Sequence, residues 1–202
     1  GVVAVWAEGW LVCVCGEVGC GRKMYSECRG CGSPTVVLIS GGAGAATSWT
    51  MADPAKPAPT VFDEVAKFAR VCAYDRPGTP VDLADGKTKP SRSDPVSQPT
   101  NTQDAVRDLH ALLRAANERG PYVLVGHSFG GLVARLYAST YPNEGAGMVV
   151  VDPASEATQA ALTPMNAYGT WNYTRTGGRL PLTNPHPAPQ RYLTRSDRHT
   201  NV

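Results

Sequence analysis

Tyr122-Val123-Leu124-Val125-Gly126-His127-Ser128-Phe129-Gly130-Gly131-Leu132-Val133-Ala134-Arg135-Leu136-Tyr137-Ala138 is the stretch on which the fold turns. Tyr122 to Val125 reads as a short strand buried on both faces, and Leu132 to Ala138 as a helix directly after it. Between them, Gly126-His127-Ser128-Phe129-Gly130 spells G-x-S-x-G at a strand-to-helix turn. A serine on so sharp a turn occupies strained backbone angles. Glycines two before and two after let neighbouring segments approach without a Cβ clash. The Ser128 hydroxyl is thereby expected above the sheet, at a helix N-terminus whose dipole favours a developing anion. The bland alternative is a glycine-rich turn with an incidental serine.

Working outward, the same grammar repeats. Val36-Val37-Leu38-Ile39 is a continuous apolar run bounded by Pro34 and by Gly41 and Gly42, a second buried strand. The loop after it, Ser40-Gly41-Gly42-Ala43-Gly44, is glycine-rich. Acyl transfer needs two N–H donors converging on one oxygen; the amides of Phe129 and Gly42 are the candidates. A plain glycine turn is the competing reading of that loop. Thr60 with Asp63 predicts a helix start, and Val61, Val65 and Phe68 its apolar face over Thr60 to Arg70. Val71 to Tyr74 is a third strand. Residues 80–101 carry four prolines and are expected to cross the surface without regular structure. Thr100-x-x-Gln103 predicts the cap of a helix with Val106, Leu109, Leu113 and Ala116 on its apolar face. Met148 to Val151 is a last strand, stopped by Asp152-Pro153. Strands alternating with helices imply an α/β architecture, a mostly parallel sheet flanked by helices, with ligands bound beyond the strands' carboxyl ends.

At 202 residues the chain accommodates one core rather than two, and it is expected to form a single domain over 1–202. A net charge of +2 from 19 basic and 17 acidic residues, without a like-charge block, argues against nucleic acid as a partner. The apolar stretch Val2 to Val14 is interrupted by Glu8 and Gly9, too short and mixed for a transmembrane segment. Neither compartment nor oligomeric state is legible. Cys13, Cys15, Cys20, Cys28 and Cys31 crowd the first 31 residues, with Cys72 apart. Cys28-x-x-Cys31 has ligand spacing, but Val, Trp and Leu interleave with the group. The expectation is strands without a metal site, with a disulfide or a small metal-binding module as alternatives.

With these residues in view, the chain resembles the α/β-hydrolase superfamily, and within it a serine esterase-like branch of actinobacterial type. The resemblance runs from about Arg22 to Asp152. It rests on Cys28-Arg29-Gly30 leading to Ser33-Pro34-Thr35-Val36, on Tyr74-Asp75-Arg76-Pro77-Gly78-Thr79, on Asp108-Leu109-His110-Ala111-Leu112-Leu113, and on Tyr122 to Tyr141. It implies a serine nucleophile, an oxyanion hole and cleavage of a small-molecule carboxylic ester with no cofactor. Serine at 128 argues against the branches that attack with a carboxylate.

The resemblance further implies an acid and then a histidine after Asp152, where only 50 residues remain. Arg191 to Thr194 reads as a strand, placing Asp197 as the acid and His199 as the base; Asp152 is a rival acid. Residues 153–202 are expected to form an irregular, lid-like or truncated C-terminal segment. His127 reads as structural, His110 as a helix residue, and His186 lies in a proline-rich loop. The competing reading is a catalytically impaired fragment or pseudoenzyme that kept Ser128 and lost the base. Without an imidazole in reach of Ser128, only feeble ester hydrolysis is expected.

Overall fold

The computed structural model describes residues 3–7, 10–18, 21–97 and 100–154. Strands β1 (Val3–Ala7), β2 (Trp10–Val18), β3 (Arg22–Arg29), β4 (Thr35–Ile39), β5 (Val71–Tyr74), β8 (Tyr122–His127) and β9 (Gly145–Val151) form one sheet in the order β1-β2-β3-β5-β4-β8-β9. Parallel ladders join β5 to β4, β4 to β8 and β8 to β9, while β1, β2, β3 and β5 are joined antiparallel. Hence β2, β4, β5, β8 and β9 run one way and β1 and β3 the other. Helices α1 (Thr47–Thr50), α2 (Val61–Ala66), α3 (Thr102–Ala115) and α4 (Phe129–Thr140) connect the parallel strands.

Every residue of β4 is buried, as its unbroken apolar run requires. Its side chains alternate between two cores. Val37 and Ile39 pack with Val106, Leu109, Leu112, Leu113 and Val133 under α3 and α4. Val36 and Leu38 pack with Trp49, Phe62, Val71 and Ala73 under α1 and α2. A helix layer on each face is the arrangement that buries a parallel sheet completely.

Three local expectations need correction. The face of α2 that is buried is Phe62, with Val65, Ala66 and Ala69 beside it; Val61 is half exposed and Phe68 78% exposed. The helix stops at Ala66, so Phe68 lies beyond the last helical turn and the 61–65–68 stripe never forms. The α3 cap is one residue later than expected. Asn101 Oδ1 accepts from the Asp104 N–H (2.9 Å), and Asp104 Oδ2 accepts from the Asn101 N–H (3.0 Å), a reciprocal box that satisfies two orphan donors. Finally, residues 80–101 contain a small hairpin, β6 (Val81–Asp82) against β7 (Thr88–Lys89), turned through Gly86 at φ +77°.

Cys28 and Cys72 face each other in the β3–β5 ladder and are joined by a disulfide. Cysteine spacing near the N-terminus gave no sign of Cys72 as the partner, because the pairing is decided by sheet register. Cys31 is exposed and free. The backbone of Cys13 and Cys15 lies on β2, and Cys20 falls outside the described residues. A Glu118 carboxylate oxygen lies within 4.8 Å of both bridged sulfurs, but sulfurs bonded to each other offer no thiolate to a metal. Among the described residues no helix is long and apolar enough to cross a membrane.

Candidate active site

The chain leaves β4 toward β5 on one side and later returns to β8 on the other. β4 and β8 therefore flank a topological switch point, where a crevice opens beyond the strand ends. The loops after these two strands bring the sequence's main candidates together.

Ser128 follows β8 and caps α4 at φ +50°, ψ −119°, a positive φ for a residue with a Cβ. Hydrogen bonds over-determine that backbone. Its N–H donates to the Val151 carbonyl (3.1 Å), and its carbonyl accepts from Gly131 (2.9 Å) and Ala154 (3.0 Å). The flanking glycines are required sterically. A Cβ on Gly126 would lie 2.4 Å from the Gly130 oxygen, and one on Gly130 2.1 Å from the Ile39 oxygen. Phe129 opens α4, where main-chain amides lie outside the intrahelical ladder.

The Ser40–Gly44 loop packs directly against this turn. A Cβ on Gly41 would sit 3.1 Å from His127 Nδ1 and 3.4 Å from Ser128 Cβ, whereas a Cβ on Gly42 would meet nothing within 4 Å. The Gly44 N–H is spent on the Gly41 carbonyl (3.1 Å), and the Ser40 hydroxyl donates to the Ala45 carbonyl (2.7 Å).

From sequence, Asp75-Arg76-Pro77-Gly78 reads as the turn that stops the Val71–Tyr74 strand; the structure makes two of its side chains the supports of that loop. Asp75, wholly buried, accepts from the Ala46 N–H (2.9 Å) and from Arg92 (2.6 and 2.8 Å), whose guanidinium lies 3.4 Å from the Tyr25 ring centre. Buried Arg76 donates to the carbonyls of Ser40 (2.6 Å), Gly41 and Gly42 (3.2 Å), with its carbon 5.4 Å from the Phe129 ring centre. Burial lowers the Arg76 guanidinium from its ordinary value, and the adjacent Tyr74 opposes that shift. Burial in turn pushes the Tyr74 phenol up to about 12. A charged pair directly after a buried parallel strand, within one of the segments that carry the family resemblance, was the available signal.

Asp152 follows Val151 immediately and has φ +42°, which brings the end of β9 beside the serine turn. His110 serves elsewhere: it stacks on Tyr141 (ring centres 3.9 Å apart), and its Nε2 lies 3.2 Å from Glu144 Oε1. Among the described residues neither His110 nor His127 is hydrogen-bonded to the Ser128 hydroxyl. Asp197, His199, His186 and the Arg191–Thr194 segment lie outside the described residues.

Residues 36–200 match the model of the "Alpha/beta hydrolase family". The chain belongs to that family. This family member is 30% identical over 128 residues to the uncharacterized protein YqjL of Bacillus subtilis, covering 62% of this chain and 42% of that one. It is 28% identical over 156 residues to the uncharacterized protein C23C11.06c of Schizosaccharomyces pombe, covering 67% and 27%. This chain thus spans less than half the length of either curated relative. Among solved structures, a putative lipase from Acinetobacter baumannii superposes with TM-score 0.55 at 26% identity, covering 82% of this chain and 52% of that one. A putative acyltransferase from Salmonella enterica shares the fold with TM-score 0.56 at 24% identity, over 80% and 48%.

Proposed function

We propose that this family member is a serine hydrolase cleaving small, uncharged carboxylic esters. The observation that carries the reading is Ser128 held at positive φ on a strand-to-helix turn, with the Gly41–Gly42 loop packed against it. Ser128 Oγ attacks the ester carbonyl carbon as a base, assigned to His199, takes its proton. The carbonyl π electrons move onto oxygen, and the amides of Gly42 and Phe129 hold that oxyanion. Collapse breaks the carbon–alkoxy bond and the base returns its proton to the departing alcohol. Water then repeats the sequence on the acyl-enzyme and releases the acid and Ser128. Asp197, or its rival Asp152, orients the base. Each cycle consumes one ester and one water and calls on no metal and no cofactor. Identity above 25% to a putative lipase supports the class.

A fluorophosphonate probe with peptide mapping tests this without knowledge of the substrate. Label on the Ser128 peptide, abolished in Ser128→Ala, is expected together with loss of p-nitrophenyl ester hydrolysis in that variant. A folded chain that takes no label, or keeps it in Ser128→Ala, overturns the assignment. Slow labelling, with hydrolysis unchanged by Ser128→Ala, would instead assign the impaired, base-less reading.

A further inference from the structure

We propose that Arg76 is a positioning residue that aims and polarises the Gly42 N–H as an oxyanion donor; the inference rests on the serine hydrolase reading and deepens it. Arg76 is 4% exposed, and among the described residues its guanidinium forms no salt bridge with a carboxylate. Asp75, its neighbour in sequence, is taken by Arg92. Asp75 favours the charged form of Arg76 through space only, and a buried cation with no carboxylate bonded to it is unfavourable unless other groups solvate it. Here the solvating groups are loop carbonyls: Ser40 on one terminal nitrogen, and Gly41, Gly42 and the more distant Gly44 (3.5 Å) sharing the other. That second nitrogen has two hydrogens for three acceptors, and Gly41 stands nearest.

The consequence follows from peptide geometry. A trans peptide is planar, with its C=O and N–H pointing in opposite directions. Once the Gly41 carbonyl is turned to Arg76, the Gly42 N–H is turned away from it. The same peptide lies against the serine turn, since a Cβ on Gly41 would meet His127 Nδ1 at 3.1 Å and Ser128 Cβ at 3.4 Å. The Cβ side of Gly42 is open, and its N–H has no acceptor among the described residues. The Gly44 N–H is already used. A positive charge at the carbonyl end of the same peptide also strengthens its N–H as a donor. Bracing of the loop does not depend on Arg76 alone, since Asp75 holds Ala46 separately.

Arg76→Met and Arg76→Lys in the full chain test the assignment through ester kinetics. Loss of the donor acts on the transition state and not on substrate binding, so Arg76→Met should lower kcat about 10²-fold with KM held within about threefold. A trifluoromethyl ketone, which forms an oxyanion on Ser128, should lose affinity by a similar factor. Arg76→Lys should recover part of kcat, because a point ammonium keeps the charge but cannot fork across several carbonyls. Wild-type kcat in folded Arg76→Met, or a fall expressed wholly in KM, overturns the proposal. Should the variants not fold, the wild-type Gly42 amide proton is read by NMR on adding the ketone. A downfield move is expected, and no move in a Ser128 adduct refutes it. Wild-type chain that never labels at Ser128 fails the hydrolase reading itself; labelling with an unaltered Arg76→Met rate fails this inference alone.

Discussion

Gly130 lies so close to Ile39 that a β-carbon at position 130 would stand 2.1 Å from the Ile39 carbonyl oxygen. The serine turn and the end of β4 are therefore in backbone contact. Gly130→Ala gains about 1 kcal/mol of helix propensity and meets an impossible contact with main chain, so the clash decides. It should destabilise by about 3 kcal/mol or more in denaturant titration. Gly42→Ala, with open space and no positive φ, should melt within about 0.5 kcal/mol of wild type. Equal melting of the two variants would contradict the packing described here.

The Cys28–Cys72 bridge closes a sequence separation of 44 residues that contains the whole Ser40–Gly44 loop. By chain entropy this should stabilise the fold by about 4 kcal/mol, a figure often reduced by structure in the unfolded chain. Reduced wild type and a Cys28→Ala/Cys72→Ala double variant should unfold at matching, lower denaturant concentrations than oxidised wild type. A reductant-insensitive midpoint would be inconsistent with the bridge.

Two phenylalanines near α2 should behave oppositely. Phe62 is 3% exposed and packs against Leu38 and Trp49 in the second core, so Phe62→Ala should lose about 3–5 kcal/mol. Phe68→Ser should change stability by less than about 0.5 kcal/mol. Thermal melts of both variants separate this arrangement from the 61–65–68 face that the sequence suggests.

That contrast shows where legibility ends. The β4 and β8 strands and the Ser128 turn were readable because a buried parallel strand and a G-x-S-x-G turn are written in adjacent residues. Phe68 misled because its spacing counts only if the helix persists, and α2 ends at Ala66. Thr100 and Asn101 each carry a partner three residues on; only the geometry of Asp104 chooses between them. The roles of Arg76 and Asp75, and the Cys28–Cys72 pair, depend on segments brought together by sheet register, which no local pattern encodes.

The β4–β8 ladder pairs Thr35 with Tyr122 and Ile39 with Gly126, residues separated by most of the described chain. Parallel pairing over such distances is slow, because loop-closure entropy must be overcome before the contacts form. Ser128 and Gly42 sit just past the ends of those two strands, so neither can meet the other until the ladder has closed. Refolding of this protein thus carries its own clock: the meeting of Ser128 with the Gly42 loop times the closure of the central strands, not the appearance of helices.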